Sequence, residues 1–584
     1  MSTAHDEVDT SEPPVSVPDT GDAGESGKLK MIVSLVKKCF GVKDIASMRL
    51  SLPASLLEPI PNLEYWHYLD RPDLFSAIND SDDAFERMMA VLRFTFSKDL
   101  KFIHGKVCKP YNSVIGEHFR AHWDVLPVSY PEGNRLQMPV QHLYLAPAAA
   151  ESVYSTADSS SVKSGVSAAS GLSRKPGSQK STNGRLSTST VASGTGTPTI
   201  STPATSAIEE IDAELEKLNL DPNAAQKLLP PSEREKLKGL PGNVSMSSVH
   251  LVEEDSPVMS PVLNGEPSRL RTLYLTEQIS HHPPVSAFHA SCPSRHLTMC
   301  GIDQISAKVS GTTVRVAPGQ YNKGIYVHVE DRLSEDGKPE RYHITHPPAH
   351  VNGILRGSFY ITVSESTYVT CTDGPAWVVP GGKDKGKRVG LRAVVDYKEE
   401  SWIGKANFLL DAVVHTYDLD DPAAADAWTK VKHVPRERVV ATLAGSWRHM
   451  IKYKLNPAFF PTRTGSTLSL PADEWVPLID LSMLYPIPKL VRDVEKQEEK
   501  ESRRMWQNVT DRLLRKEYSE ANKYKQAIEQ RQREEEAARK QSGEKYVPRY
   551  FVWDVETGLP TLTEDGKRAL EEEMKEQSAH PLVQ

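Results

Sequence analysis

Between Arg271 and Leu455 the chain repeats one pattern: short runs that alternate, or nearly alternate, apolar and polar residues, set apart by Gly, Pro and Asp. TTVRVAP, GIYVHVED, GSFYITVSESTYVTC, VGLRAVVDY and ATLAGSWRHMIKYKL are the clearest. Successive side chains of an extended chain point to opposite faces, so each run makes a strand with one apolar face that must be covered. Many short strands in a row, with turn residues between them, predict an antiparallel sandwich or barrel.

Helical signals flank the strands. SDDAFERMMAVLRFTF opens on acidic residues and carries an apolar stripe through Phe85, Met88, Met89 and Leu92, which predicts a helix. In GKLKMIVSLVKKCF, Leu29, Ile32, Val33, Val36 and Phe40 recur at helical spacing opposite Lys30, Ser34, Lys37 and Lys38. This is a short basic amphipathic helix, which either packs on the domain or faces a membrane as a lid. Lys496 to Ser542 is almost continuous charge with Ala, Gln, Met and Leu, a helix former's composition, and YVPRYFVW then returns to apolar character.

Residues 147–268 break the pattern. SSSVKSGVSAASGLSRKPGSQKSTNGRLSTSTVASGTGTPTISTPATS has almost no large apolar residues and cannot bury enough surface to offset its ordering entropy. AIEEIDAELEKLNL reads as a helix with little to pack against, and Ser256-Pro257 and Ser260-Pro261 are weak phosphosite signals. The strand patterns on either side, RLQMPVQHLYLAP and RTLYLTEQ, predict neighbours in one sheet. The stretch is therefore read as a disordered insertion inside one split domain, 49–146 with 269–555. Residues 1–27 read as disordered and 556–584 as a tail.

Composition excludes several classes. With 70 Lys and Arg against 77 Asp and Glu, the net charge is −7, which argues against nucleic acid as a partner. Any anion site must be a local gathering of Lys, Arg and His. The five cysteines, Cys39, Cys108, Cys292, Cys300 and Cys371, are scattered without a C-x-x-C pair, which argues against a zinc ribbon or disulfide scaffold and fits a reducing cytosol. The acidic start is no signal peptide, and no apolar run is long enough for a span.

Three segments carry site-like residues. In TEQISHHPP, Pro283 pushes His282 into an extended conformation, which would send His281 and His282 to opposite faces and disfavour a shared metal. No H-E-x-x-H or G-x-S-x-G motif accompanies them. A structural pair at a strand end and an anion site both remain open. Lys109-Pro110-Tyr111-Asn112, followed by Gly116-Glu117, suits either a surface turn or a grip on phosphate and sugar hydroxyls. Lys525, Glu529 and Arg533 share one helix face, as a solvated ladder or as two cations flanking a carboxylate.

Glu277-Gln278-Ile279-Ser280-His281-His282-Pro283-Pro284 resembles the E-Q-V-S-H-H-P-P fingerprint of the oxysterol-binding protein-related family, with Ile for Val. Lys109 to Glu117 resembles the family's K-P-x-N-P-x-L-G-E, departing at Ser113 and Ile115. Lys525-x3-Glu529-x3-Arg533 resembles its late K-x3-E-x3-R helix, the following PRYF its usual ending, and Lys405-Ala406-Asn407 another family motif. The resemblance runs from Leu52 to Trp553, interrupted by the insertion.

The resemblance implies a mostly β fold with α: a large, near-closed antiparallel barrel around a hydrophobic lipid tunnel, with an N-terminal lid and helices and a C-terminal helical region. It implies lipid transfer rather than catalysis, with phosphatidylinositol 4-phosphate as ligand, exchanged for a sterol or phosphatidylserine, and no cofactor or metal. By position, His281, His282 and Arg533 would contact the 4-phosphate. Lys109, Asn112, Lys525 and Glu529 would hold the inositol ring and its phosphates. Residues 28–48, through Leu29, Ile32, Val36 and Phe40, would form the lid. A phosphomonoester carries about −1.5 to −2 charges near pH 7 and needs several converging cations. The partners implied are membrane lipids, met peripherally from the cytoplasm at endoplasmic reticulum, Golgi or plasma membrane contacts. The short stretch before Leu52 predicts a family form without a pleckstrin-homology domain, and no acidic two-phenylalanine motif is evident. The alternatives are a lipid sensor without net transport and, last, an esterase or phosphatase, which lacks a nucleophile and a metal set.

Overall fold

The segment HFRAHWDV forms a strand, His118–Val125 (β1), that is buried on both faces. Phe119, Ala121, Trp123 and Val125 join the main apolar core. His118, Arg120, His122 and Asp124 point the other way, into a layer of buried charge. The computed structural model describes residues 15–16, 25–39, 41–46, 50–105, 108–145, 268–354, 359–400, 406–460, 474–552, 554–577 and 582–583. The expected insertion lies outside them save Ser268, as do most of residues 1–27.

β1 is one edge of a thirteen-stranded sheet. After it come Leu270–His281 (β2), Pro284–Cys292 (β3), Leu297–Asp303 (β4), Ile305–Ser310 (β5), Thr313–Pro318 (β6), Ile325–Leu333 (β7), Pro339–Ile344 (β8), Ala349–Asn352 (β9) and Tyr360–Val363 (β10). Ser366–Asp373 (β11), Arg388–Tyr397 (β12), Leu409–Tyr417 (β13), Val439–Ser446 (β14), Met450–Leu455 (β15) and Val476–Asp480 (β16) follow. The large sheet runs β1-β2-β3-β4-β7-β8-β11-β12-β13-β14-β15-β16, with Trp377–Val378 paired beside β12. A smaller sheet runs β5-β6-β9-β10. Every ladder in these two sheets is antiparallel, as the alternating runs predict. GSFYITVSESTYVTC is divided, giving β10 to the small sheet and β11 to the large one. No ladder joins β1 to β16 among the described residues, so strand pairing leaves the barrel open there. Irregular backbone covers part of the gap: His122 and Leu490 exchange N–H···O bonds of 3.0 and 2.8 Å, and Trp123 Nε1 donates to the Ile487 carbonyl at 3.1 Å.

RTLYLTEQ is indeed joined to the chain before the insertion, but its neighbour is β1, with Leu273 opposite His122. RLQMPVQHLYLAP contributes only Tyr144–Leu145, paired with Leu582–Val583. The sequence pattern missed β1 because its polar residues are buried rather than solvated.

The helix expected after SDD is Ala84–Ser97; residues 25–38 form the basic helix α1 (Glu25–Lys38), so this one is α2. Asp83 caps α2, accepting from the Phe85 and Glu86 amides at 2.9 Å. From Arg87 to Lys98 every residue is buried, so the apolar stripe is only one side of a helix enclosed on all sides. Two arginines make this tolerable. Arg87 pairs with Glu340 of β8 through Nε–Oε1 at 2.7 Å and Nη2–Oε2 at 2.5 Å, and Tyr342 donates to the same carboxylate at 2.6 Å. Arg93 donates to the carbonyls of Leu478, Leu136 and Gln137 at 3.1–3.3 Å.

Charge-rich residues 496–542 form two helices, Ser502–Leu514 (α3) and Tyr518–Ser542 (α4), broken where Lys516 takes a left-handed φ of 62°. The stretch read as a tail adds Glu564–Lys575 (α5), whose Ala569 and Leu570 pack on Leu273, Leu275 and Val285. α5 also covers the polar side of β1. Glu573 meets His122 Nδ1 at 2.7 Å with both side chains fully buried, and Arg120 reaches Glu572 at 2.9 Å and Glu501 at 3.5 Å.

Candidate functional site

β2 and β3 form a hairpin in which His281 pairs with Pro284 and the chain turns at His282-Pro283 through a cis bond, as in a type VI turn. The expectation that the two imidazoles face apart fails because the strand ends at His281. Their ring centroids are 4.4 Å apart, and both line one cavity. Glu277, four residues upstream of His281, ties in the PRYF segment: it accepts from the Tyr546 hydroxyl at 2.7 Å and the Arg549 and Tyr550 amides at 2.9 and 2.8 Å. Sequence reasoning gave Glu277 no role.

The Lys109–Glu117 segment is docked onto the same hairpin. Gly116 N donates to the Gln278 carbonyl at 2.9 Å and Gln278 N to the Glu117 carbonyl at 2.8 Å. Gly116 holds φ +76°, and a Cβ there would stand 2.9 Å from Tyr546 Oη. The fully buried Glu117 carboxyl accepts from Val114 N at 3.1 Å and Ser502 Oγ at 2.7 Å, and burial pushes its pKa up to about 7. Beneath the turn the Tyr111 ring lies tilted against Trp506 of α3, centroids 4.8 Å apart, and its hydroxyl bonds Thr510 at 3.0 Å. Ile115 N donates to Gln532 of α4 at 3.0 Å, bringing in the third segment.

On α4, Lys525 is buried and bonded to Glu529 at 2.6 Å, while Arg533 is exposed and donates through Nε and Nη2 to Gln530. Lys109 Nζ donates to Asn112 Oδ1 at 2.6 Å and to the Pro110 carbonyl at 3.1 Å. All the sequence-predicted headgroup residues, Lys109, Asn112, His281, His282, Lys525, Glu529 and Arg533, line a single cavity of about 300 Å³. Lys109 is exposed to that cavity, yet protein closes round it on the scale over which a charge is solvated. Desolvation, then the Lys525 cation, lowers its pKa to about 8, against the pull of Cys108 and Glu529.

The cavity wall also contains residues that no motif marked: Ile45, Leu52, Leu57, Trp66, Tyr68 and Asp303. Tyr68 donates to Asp303 at 2.7 Å, and burial raises that carboxyl to about 6. Tyr68 also stacks on His346 and lies 5.3 Å from Phe288, so the deeper side of the cavity is aromatic. Beyond it, where a tunnel was expected, Phe94, Phe288, Met299, Val327 and Val395 are packed to 0–1% exposure. The cavity therefore lies at the mouth rather than among these side chains. Among the described residues no His, Cys, Asp and Glu group is placed to hold a metal, and no helix is long and apolar enough to cross a membrane.

The proposed lid residues divide. Val36 packs with Cys39, Val309 and Ile354, and Ile32 lies alongside, so α1 rests on the small sheet with Lys30, Ser34 and Lys38 outward. The Leu29 side chain and Phe40 lie outside the described residues, as does Lys405. Past the helix, Ile45 N donates to the Ala307 carbonyl at 2.7 Å and Ala307 N to Asp44 Oδ1 at 2.8 Å. This latch holds Ile45 and Ala46 at the cavity wall.

A family model described as oxysterol-binding protein matches residues 31–138 and 258–418. Oxysterol-binding protein-like protein 1 of Schizosaccharomyces pombe is 35% identical over 556 residues, 95% of this chain and 93% of that protein. The chain belongs to the oxysterol-binding protein family. That family consists of lipid-binding and lipid-transfer proteins, not enzymes. A more distant member, oxysterol-binding protein-related protein 11 of Homo sapiens, is 28% identical over 309 residues, 53% of this chain and 34% of its own length. Among solved structures, the Osh1 ORD domain in complex with ergosterol aligns over 92% of this chain and 88% of its own, at TM-score 0.49 and 14% identity.

Proposed function

We propose that this family member binds phosphatidylinositol 4-phosphate and exchanges it for a sterol or phosphatidylserine between membranes, working peripherally from the cytoplasm. The observation that carries the reading is convergence: three segments hundreds of residues apart place their basic groups round one cavity. His281, His282 and Arg533 are assigned to the 4-phosphate. Lys109 and Lys525 are assigned to the ring and its phosphates, with Asn112 and Glu529 taking ring hydroxyls. These contacts require no nucleophile, and no bond is made or broken. The cavity as it stands suits a headgroup, and the apolar side chains beneath it are those that a lipid body would part. The latched segment at Ile45 and Ala46 is assigned as the lid.

The test is extraction from liposomes by the His281→Ala, His282→Ala protein. Each lost charge-assisted hydrogen bond costs about 1.5–3 kcal/mol, roughly ten- to a hundredfold in affinity. Phosphoinositide extraction should therefore disappear while binding of the second lipid persists. Unchanged extraction would overturn the assignment. Binding by the wild type without net transfer between donor and acceptor vesicles would make the protein a sensor instead. Native mass spectrometry of the purified protein identifies the second lipid.

A further inference from the structure

The cavity wall continues outward into an apolar rim to which headgroup binding assigns no task. Trp66, in the wall, lies 5.9 Å from the Phe102 ring. The Phe102 and Ile103 carbonyls accept from Arg448 Nη2 at 3.3 and 2.9 Å. The Arg448 guanidinium in turn stands 4.7 Å from the Phe408 ring and 5.9 Å from that of Trp447. The same short helix places His104 against Tyr485, ring centroids 4.3 Å apart. Here the exposed large apolar side chains are Met483 at 67%, Tyr485 at 51% and Leu409 at 46%.

Strand register puts this rim at the cavity's end of the barrel. The His282-Pro283 turn begins β3, which pairs at that end with Asp303 of β4. The ladder carries the same edge through Ile325, Ile344, Asp396 and Leu410 to Ser446, Met450 and Asp480. Phe408 and Trp447 adjoin those strand ends directly, and Met483 and Tyr485 follow shortly after Asp480.

The chemistry is that of a lipid interface. Tyr and Trp present apolar bodies with polar tips, and an Arg buries its stem while its head stays polar. Of the nearby acids, Glu400 accepts from the Asn407 and Phe408 amides at 2.8 and 2.7 Å, Asp480 from the Ser482 amide and hydroxyl at 3.1 and 2.6 Å, and Asp411 pairs with Lys398. We propose that the rim sets the cavity mouth down on a bilayer, with Met483, Tyr485 and Leu409 entering the headgroup layer and Arg448 held at phosphate level. Its purpose rests on the lipid-binding reading, because a mouth seated on the bilayer spares the lipid a passage through water. The surface contact itself does not rest on it.

The test uses the full chain, protein-free phosphatidylcholine vesicles with and without phosphatidylinositol 4-phosphate, and soluble dioctanoyl phosphatidylinositol 4-phosphate. Met483→Asp and Tyr485→Asp, each at an exposed position, should lower vesicle flotation about tenfold, the loss of one apolar side chain's transfer from water. Extraction should slow in proportion, with binding of the soluble lipid unchanged. Met483→Trp should raise flotation. Flotation of all three variants equal to wild type would overturn the proposal, and it is also the outcome expected if the rim serves a protein partner. If the variants lose flotation but the wild type does not bind the soluble lipid, the headgroup reading fails and the rim stands.

Discussion

Raising the pH tests whether Lys109 grips an anion. In the free protein its pKa is about 8, because desolvation and the Lys525 cation disfavour the ammonium. An anionic ligand favours the ammonium, so the pKa in the complex lies above the free value. Affinity is then complete below pH 8 and is lost as pH rises from 8 toward the bound-state value. With one proton involved, roughly nine in ten free molecules carry the cation at pH 7 and one in ten at pH 9, so affinity should fall about tenfold over that interval. The measurement is calorimetric titration with dioctanoyl phosphatidylinositol 4-phosphate from pH 7 to 9.5. Lys109→Arg keeps its charge throughout and should flatten the curve. Lys525→Met removes the neighbouring cation and should move the onset upward while weakening binding overall. Cys108→Ser controls for the thiol that also acts on Lys109. A flat wild-type curve, or an onset that Lys525→Met leaves in place, would refute the assignment.

Three further outcomes follow from buried groups and the latch. Arg87→Met should destabilise the chain by about 3–5 kcal/mol in chemical denaturation, since Glu340 keeps a buried charge, and adding Glu340→Gln should recover much of that loss. Glu117 has a folded pKa above its unfolded one, so its ionisation erodes stability as pH rises from about 4.5 to 7. Glu117→Gln should accordingly gain on the order of 3 kcal/mol at pH 8 and little at pH 4, read from paired denaturation curves. Asp44→Ala removes one of the two latch bonds to Ala307 and should speed release of bound lipid severalfold in a stopped-flow leak assay, without changing the affinity for the soluble lipid.

The strand pattern made the sheet legible where one face stays partly exposed, as along β7, β8, β11 and β15, so that alternation survives in the sequence. It failed at β1, where the polar half of the alternation is buried against α5 and the chain before α3 rather than exposed. The same burial hid α5 inside an apparent tail: Glu573 reads as a surface acid until His122 is placed beside it. At the site, local spacing placed Lys525, Glu529 and Arg533 on one face but misdirected the histidines, since one turn at Pro283 reverses the rule for an extended chain. Trp66, Tyr68 and Asp303 had no local signal at all. They become cavity residues only through long-range pairing, as the separation of 235 residues between Tyr68 and Asp303 shows.

The seal over β1 also sets an order of events during synthesis. His122 and Glu573 are separated by 451 positions, so nearly the whole chain must leave the ribosome before that imidazole finds its carboxylate. Until then, the outward side of the first strand holds the Arg120 cation and the His122 imidazole without Glu572 and Glu573. Such long-range closure is slow, and it prolongs the interval in which an unfinished barrel offers an open edge to other chains. A nascent or prematurely ended chain that stops before Glu564 should therefore be a client for chaperones and proteases rather than a shorter version of the same protein.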